Sequence, residues 1–152
     1  MNWERWLPWN WLRQGYVRPA REVRTTWKII RVKDEAIPEE LNPADPGKMS
    51  PLFGVVVSTD TFLSKTQTLL YCPIVDTTDE NGHPKTQQPW HVLIEAERAD
   101  APGLRFRKAF LSTKVMFPIS LSEIDGVERG RITAESRAIV ASRLREWLAQ
   151  RA

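Results

Sequence analysis

The two histidines, His83 and His91, are the side chains of this 152-residue chain best suited to proton transfer near neutral pH. An imidazole titrates close to neutrality, which suits a general acid or a general base. Asp76, Asp79 and Glu80 lie nearby in the sequence, and imidazoles together with carboxylates can also bind zinc. Their spacing matches no zinc-ligand motif. We therefore interpret the acids and His83 as solvated loop residues and expect no metal site.

Other reactive side chains point to no further chemistry. Cys72 is the single cysteine, which excludes an internal disulfide, and its apolar surroundings predict a buried, inert thiol. Ser64 and Lys65 have no partner for a catalytic triad, so a surface turn is the better interpretation. The seven glycines form neither a P-loop nor a dinucleotide-binding pattern, so we expect no cofactor.

Charge is distributed unevenly along the chain. The net charge is only +3, but residues 1–33 carry eight basic and two acidic side chains. Residues 34–47 carry five acidic side chains and no basic one. A basic face suits binding to a phosphate backbone or to an acidic protein. The alternative is that these side chains are solvated surface charges.

The first nineteen residues are rich in tryptophan and form a predicted N-terminal extension. Indoles carry a large apolar area that is rarely left in water, so they should pack on the domain, a second subunit or a partner. A membrane surface is an alternative, although Pro8 and the short length favour a protein contact. The predicted partner-binding residues are Trp3, Trp6, Trp9 and Trp11.

Two apolar runs rich in β-branched residues, at 53–59 and 68–75, bracket a polar crossing and predict adjacent core strands. Further strands are predicted at 23–32, 90–96 and 106–117, with a short extension at 130–132. Several prolines make 34–51 a long loop, and Asn81-Gly82 predicts a turn within a second loop at 76–89.

A helix is predicted at 133–150, with Thr133 as its N-cap and Glu135 in its first turn. The sum is a mostly β fold with one helix. We predict a small antiparallel SH3-like barrel over residues 20–152, closed by that C-terminal helix. The predicted core residues are Val55, Val57, Leu70, Ile74, Val115, Ile139, Leu144 and Trp147.

The order of four short motifs resembles the MazF/PemK toxin family, whose SH3-like barrel is related in fold to the CcdB toxins. Residues 54–62 are similar to the family's valine strand, serine and following short segment, and Cys72-Pro73-Ile74 to its proline corner. Pro89-Trp90-His91-Val92 is similar to its Pro-Phe-Glu-Val strand. Residues 130–135 resemble its Gly-x-Leu-Ser/Thr-x-Glu entry to the last helix. The resemblance covers roughly residues 20–150.

This resemblance implies cleavage of single-stranded RNA without a metal ion. In the family, an arginine before the valine strand and a threonine after the proline corner are thought to act in proton transfer and phosphate stabilisation. Those positions fall on Leu52 and Val75 here, and the family's Asp-Gln pair falls near Thr113 and Lys114. The expected catalytic side chains are therefore altered.

The nearest substitutes are Lys48 and Lys114 for positive charge, and Thr77 or His91 for proton handling. We take these four as the candidate catalytic residues, with a solvent-facing His91 as the alternative. The candidate RNA-binding residues are Arg24, Lys28, Arg31 and Lys65.

The sequence leads to two functional hypotheses. The first is a MazF/PemK-like toxin, an RNA endonuclease that forms a homodimer and is held silent by an antitoxin. The second is a barrel of the same kind that has lost cleavage and binds a protein or a nucleic acid. No run of about 18 apolar residues predicts a membrane span, and the start does not resemble a secretion signal, so we expect a cytoplasmic protein.

Overall fold

The fold is that of a computed structural model, which describes residues 25–38, 53–78, 81–98, 106–125 and 129–151, with side chains of the last range as far as Glu146. The strands in these ranges are β1 (Ile29–Val32), β2 (Phe53–Val56), β3 (Thr68–Val75), β4 (His91–Glu95), β5 (Lys108–Ser112), β6 (Phe117–Ser120) and β7 (Ile124–Asp125). The α-helices are α1 (Asp60–Thr66) and α2 (Ala134–Arg151). Predictions for the tryptophan-rich extension, Arg24 and Lys48 fall outside the described residues.

The strands form one antiparallel sheet in the order β4-β5-β3-β2-β1-β7, and β6 pairs with β3 beside β5. β3 is the longest strand, and Val55 of β2 lies opposite Cys72 at its centre. This arrangement confirms the predicted mostly β fold with antiparallel pairing.

Residues 130–133 connect the two distant parts of this sheet. The Ile29 N–H donates to the Gly130 carbonyl over 2.9 Å, and the Ile132 N–H donates to the Trp27 carbonyl over 3.2 Å. On the other side, the Glu97 N–H donates to Arg131 and the Thr133 N–H to Glu95, over 2.8 and 2.9 Å. This short segment therefore bridges the start of β1 and the end of β4.

Both faces of the central strands are buried, which explains their continuous apolar sequences. One cluster includes Val55, Cys72 and Ile74 together with β4, β5 and α2 side chains. A second cluster lies on the opposite face and includes Val56, Leu69 and Tyr71.

The first of the two central strands is shorter than predicted. β2 ends at Val56, and α1 occupies part of the segment interpreted as a polar crossing. Thr59 caps this helix by accepting the Phe62 N–H over 3.1 Å, and Gln67 ends it in a left-handed conformation. Helix α1 buries only Leu63, so its sequence carries too short an apolar pattern to predict it.

The long strand predicted at 106–117 is wrong in its middle. The Thr113 N–H and hydroxyl still donate to the Trp90 carbonyl, over 2.9 and 2.7 Å, in the register of β4 and β5, and the chain leaves the ladder after Thr113. It returns as β6 four residues later. Val115 lies in the break and is 45% exposed, so its assignment to the core is wrong.

The strand predicted at 23–32 begins only at Ile29 within the described residues. Residues 26 and 27 form a turn instead. Trp27 adopts a φ of 72°, a left-handed conformation that β-sheet pairing does not allow. Its N–H donates to the Val56 carbonyl over 2.7 Å, which holds this turn against β2.

Helix α2 begins as predicted, because the Thr133 hydroxyl accepts the Ser136 N–H over 3.3 Å. Its apolar stripe is narrower than predicted. Val140 is fully buried and Leu144 packs against the first cluster. Ile139 is 45% exposed, so its assignment to the core is wrong. The side chain of Trp147 lies outside the described part of the helix.

The remaining four core predictions differ in how deeply the side chains are buried. Val55 and Ile74 are fully buried, as predicted. Val57 and Leu70 are only half-buried, and Val57 packs against the first cluster.

Gly54 allows the Tyr71 ring to lie directly against β2. A Cβ atom at position 54 would lie 2.3 Å from Tyr71 Cδ2 and 2.9 Å from the Cys72 carbonyl oxygen. The buried Tyr71 hydroxyl has no hydrogen-bond partner among the described residues. Burial, with a contribution from Glu123, raises the pKa of Tyr71 to about 12. No helix in the described ranges is long and apolar enough to cross a bilayer.

Val140→Ala should lower the free energy of unfolding by about 1–2 kcal/mol, because it opens a cavity in a fully buried site. Ile139→Ala, at the adjacent exposed position, is the matched control and should change it by less than about 0.5 kcal/mol. Urea unfolding of both variants measures the difference. Equal losses would contradict the assignment of the helix face.

Tyr71→Phe should leave stability unchanged or raise it by about 1 kcal/mol, because it removes a buried hydroxyl without a recorded partner and keeps the ring. Thermal unfolding at neutral pH measures the effect. A loss of more than about 1 kcal/mol would show that the hydroxyl makes a stabilising hydrogen bond.

Candidate nucleic-acid interface

Alternate residues of β4 and β5 present a surface on the side opposite the first apolar cluster. Val92, Ile94 and Leu111 belong to that cluster, so the intervening residues face the other way. On this side His91 lies opposite Ser112, Leu93 opposite Phe110, and Glu95 opposite Lys108. We call these six residues the outer face of β4 and β5. Leu93 is 46% exposed at its centre.

His91 is held in one orientation on this face. Its ring stacks on Phe110 with centroids 5.2 Å apart and an interplanar angle of 10°. Its Nδ1 accepts the Gln88 backbone N–H over 3.1 Å, while its own backbone N–H donates to the Gln88 carbonyl. A backbone amide can only donate, so Nδ1 carries no proton and the neutral ring carries its proton on Nε2.

The environment of His91 favours the neutral ring. Partial burial lowers the pKa of His91 from its ordinary value of 6.5, and the positive charge of Lys85 lowers it further. Protonation of Nδ1 would also place two donors against each other, which costs the hydrogen bond from Gln88. At neutral pH the ring can therefore donate a hydrogen bond through Nε2 but cannot accept a proton without losing the Gln88 bond.

Lys114 is positioned by the break after β5. The two hydrogen bonds from Thr113 to the Trp90 carbonyl bring the next residue, Lys114, over the Trp90 ring. Its Nζ lies 4.8 Å from the ring centroid, a cation–π geometry. The Trp90 ring in turn lies edge-on to His91 at 6.0 Å between centroids. Lys114, Trp90, His91 and Phe110 thus form a continuous series of ring and cation contacts.

Thr77 joins this series through Lys85. The Lys85 N–H donates to the Thr77 carbonyl over 2.8 Å, and a bridge between Thr78 and Pro84 completes the hairpin around Gly82. Gly82 has a φ of 79°, which confirms the turn predicted at Asn81-Gly82. The contact to Thr77 involves its backbone, whereas the Lys85 charge acts on His91.

The structure thus brings His91 and Lys114 together through the Trp90 ring, whereas Thr77 is connected to them only by its backbone contact with Lys85 and Lys48 lies outside the described residues. We call Thr77, Lys85, Trp90, His91 and Lys114 the His91 group. Lys85 and Trp90 were not among the sequence candidates. The only sequence signal for these two residues is that they lie close to His91 in the chain, Trp90 next to it and Lys85 six residues before it. Neither residue type alone predicts a site.

The position that the resemblance assigns to a threonine is apolar and inaccessible. Val75 is 4% exposed and lies opposite Phe110 in the ladder. Leu52 lies outside the described residues.

The candidate RNA-binding residues do not assemble on the outer face. Lys28 is 5% exposed, so its side chain does not project into solvent as a surface strand would place it. Arg31 lies on β1, which β2 and β3 separate from β5. Lys65 is exposed in α1, and Arg24 lies outside the described residues.

Arg31 makes an ion pair within the fold instead. Its guanidinium lies 3.3 Å from an Asp125 carboxylate oxygen, and Arg129 lies 3.4 Å from the same oxygen. Arg129 is also placed over the Phe53 ring at 5.9 Å. Burial lowers the pKa of Arg129, Asp125 opposes that shift, and Arg31 adds to it. These ion pairs connect β1 to β7 and to the segment before residues 130–133.

Cys72 is buried, as predicted, and burial raises its pKa to about 12, so the thiol is neutral at physiological pH. Across the described ranges, no three His, Cys, Asp or Glu side chains are grouped closely enough to hold a metal ion.

Comparison with protein-family models and with curated proteins finds no match to this chain.

The lowered pKa of His91 predicts a pH dependence of stability. Between the folded pKa and the unfolded value of about 6.5, the unfolded chain binds more protons than the folded one. The contribution of His91 to stability is therefore complete above about pH 6.5 and is lost as the pH falls through that window. Thermal unfolding from about pH 7 to about pH 5 should show a steeper loss for the wild type than for His91→Asn.

Ring nitrogen NMR provides the independent check on the same site. We expect the neutral His91 ring to carry its proton on Nε2 and to titrate below about 6.5. A proton on Nδ1, or equal pH slopes for wild type and variant, would contradict the hydrogen bond from Gln88.

Proposed function

We propose that this chain is a MazF/PemK-like toxin, a metal-independent endonuclease for single-stranded RNA built on an SH3-like barrel. The observation that carries the proposal is the His91 group, in which the Trp90 ring lies edge-on to one oriented imidazole, Lys114 lies over Trp90, and the Lys85 charge acts on His91. The bridges made by residues 130–133 support barrel closure, because they connect β1 to β4 at opposite ends of the five-strand path β1-β2-β3-β5-β4.

The His91 group has the composition of a single-strand binding site. Proteins bind single-stranded nucleic acid by combining cations for the phosphates with aromatic rings for the bases. Lys114 is exposed and its recorded contact is with the Trp90 ring, so its charge is available to a phosphate. Lys85 supplies a second positive charge close enough to act on His91.

Cleavage needs more than binding. In RNA transphosphorylation the 2′-hydroxyl gives up its proton to a base as its oxygen bonds to phosphorus. Negative charge develops on the phosphoryl oxygens, the bond from phosphorus to the 5′-oxygen breaks, and that oxygen takes up a proton. The lysines and the Nε2–H of His91 suit the developing negative charge. Proton transfer by His91 requires exchange of its bond with Gln88, and Lys48 adds a further candidate charge.

A second candidate function is a barrel of the same kind that binds RNA or a protein without cleaving. Two observations favour it. Val75 places an inaccessible apolar side chain where the resemblance implies a threonine, and Nδ1 of His91 is occupied by a donor. In either case the proposal includes a homodimer and a protein partner, an antitoxin for the toxin, with the tryptophan-rich segment as the contact.

The test is purified protein with fluorescent single-stranded RNA, with and without EDTA. We expect cleavage that EDTA does not change and that falls at least about tenfold in His91→Ala and Lys114→Gln. Arg145→Gln is the control, because it removes an exposed positive charge from α2, which packs on the side of the first apolar cluster.

Binding separates the two candidate functions. Lys114→Gln should lower the salt dependence of RNA affinity, measured as log K against log salt, by about 0.7. Binding without cleavage supports the silent barrel. If the wild type shows neither binding nor cleavage, an RNA function is overturned. An equal effect of Arg145→Gln overturns the assignment to the His91 group.

A further inference from the structure

Two exposed lysines lie at the two ends of β5. Lys108 begins the strand, and Lys114 follows its end by two residues. Within the described ranges neither lysine makes an ion pair. Glu95 is the cross-strand neighbour of Lys108, but its carboxylate pairs with Arg107 over 3.0 Å. Both lysine charges on this side of the sheet are therefore available to an anionic ligand.

The surface between the two lysines is largely apolar and aromatic. It consists of the 46% exposed Leu93 and the half-buried His91 ring, which stacks on Phe110, the buried cross-strand neighbour of Leu93. At about 3.4 Å per residue, Lys108 to Ser112 spans about 14 Å, which is about two nucleotides of an extended strand. Cations at the ends with apolar surface between them match the phosphates and bases of a single strand.

We propose that single-stranded RNA lies along the outer face of β4 and β5, from Lys114 to Lys108, with its bases over His91 and Leu93. This proposal rests on the proposed RNA function and extends the ligand contact beyond the His91 group. Lys108 is then a second phosphate contact, and Leu93 is an apolar contact for a base or a ribose.

A peptide is a poorer occupant of this surface. β5 pairs with β3 on one side and with β4 on the other, so its backbone is not an edge to which an extended peptide could add. A peptide would bind by side chains alone, whereas a nucleic acid offers phosphates to both lysines and bases to the surface between them.

The experiment measures affinity for labelled oligouridylates of increasing length by fluorescence anisotropy, with 2′-O-methyl strands, which lack the attacking hydroxyl, if cleavage occurs. Affinity should rise with length until the strand reaches Lys108. Lys108→Gln should leave the shortest oligonucleotide unaffected and lower the affinity for long ones about fivefold, with a salt slope smaller by about 0.7. Leu93→Ala should lower the affinity for long oligonucleotides and leave the salt slope unchanged, because it removes no charge.

Arg145→Gln is again the matched control and should not alter the length dependence. A uniform effect of Lys108→Gln at all lengths, or none at any length, overturns the path along β5 while RNA binding at the His91 group stands. Tight binding of an acidic peptide that depends on Lys108, without a length effect for RNA, assigns this surface to a protein partner instead. Absence of RNA binding by the wild type overturns both proposals together.

Discussion

The pairing of β3 is the constraint on which the other elements depend. One edge of this strand pairs with β2, and the other is shared between β5 near its end and β6 near its start. Two strands can share one edge only if the chain between them leaves the ladder. The chain leaves after Thr113, which still bonds to Trp90 in the register of β4 and β5, and the next residue, Lys114, lies over the Trp90 ring. The same break that fits two strands onto β3 therefore positions a candidate ligand contact.

Burial on both faces of the central strands limits where a site can form. Two apolar clusters cover β1, β2 and most of β3, so polar side chains there are few and are used for structural contacts. Arg31 and Arg129 illustrate this, because both pair with Asp125 and connect β1 to the chain after β7. The outer face of β4 and β5 is different, since Leu93 at its centre is half-exposed and lysines lie at its ends.

The sequence predicted elements whose signals are local and missed those decided by distant contacts. β3 and α2 follow from a long β-branched run and from an N-cap with an apolar stripe. Helix α1 depends on its caps, and the break between β5 and β6 depends on the pairing of both strands with β3, which apolar periodicity cannot report. Charge along the chain was equally uninformative about the site. Lys28 belongs to a basic stretch yet is buried, whereas Lys85 and Lys108 lie outside that stretch.

The close approach of Gly54 and Tyr71 has a consequence for how this protein can change over evolutionary time. The ring occupies the space that any side chain at position 54 would need, and a backbone oxygen limits the alternatives. Positions 54 and 71 should therefore covary among descendants of this sequence. A larger residue at 54 becomes neutral only after position 71 has lost its ring, so mutational order matters at this pair. Because both residues lie on paired central strands, this epistasis confines drift in the second cluster to correlated steps.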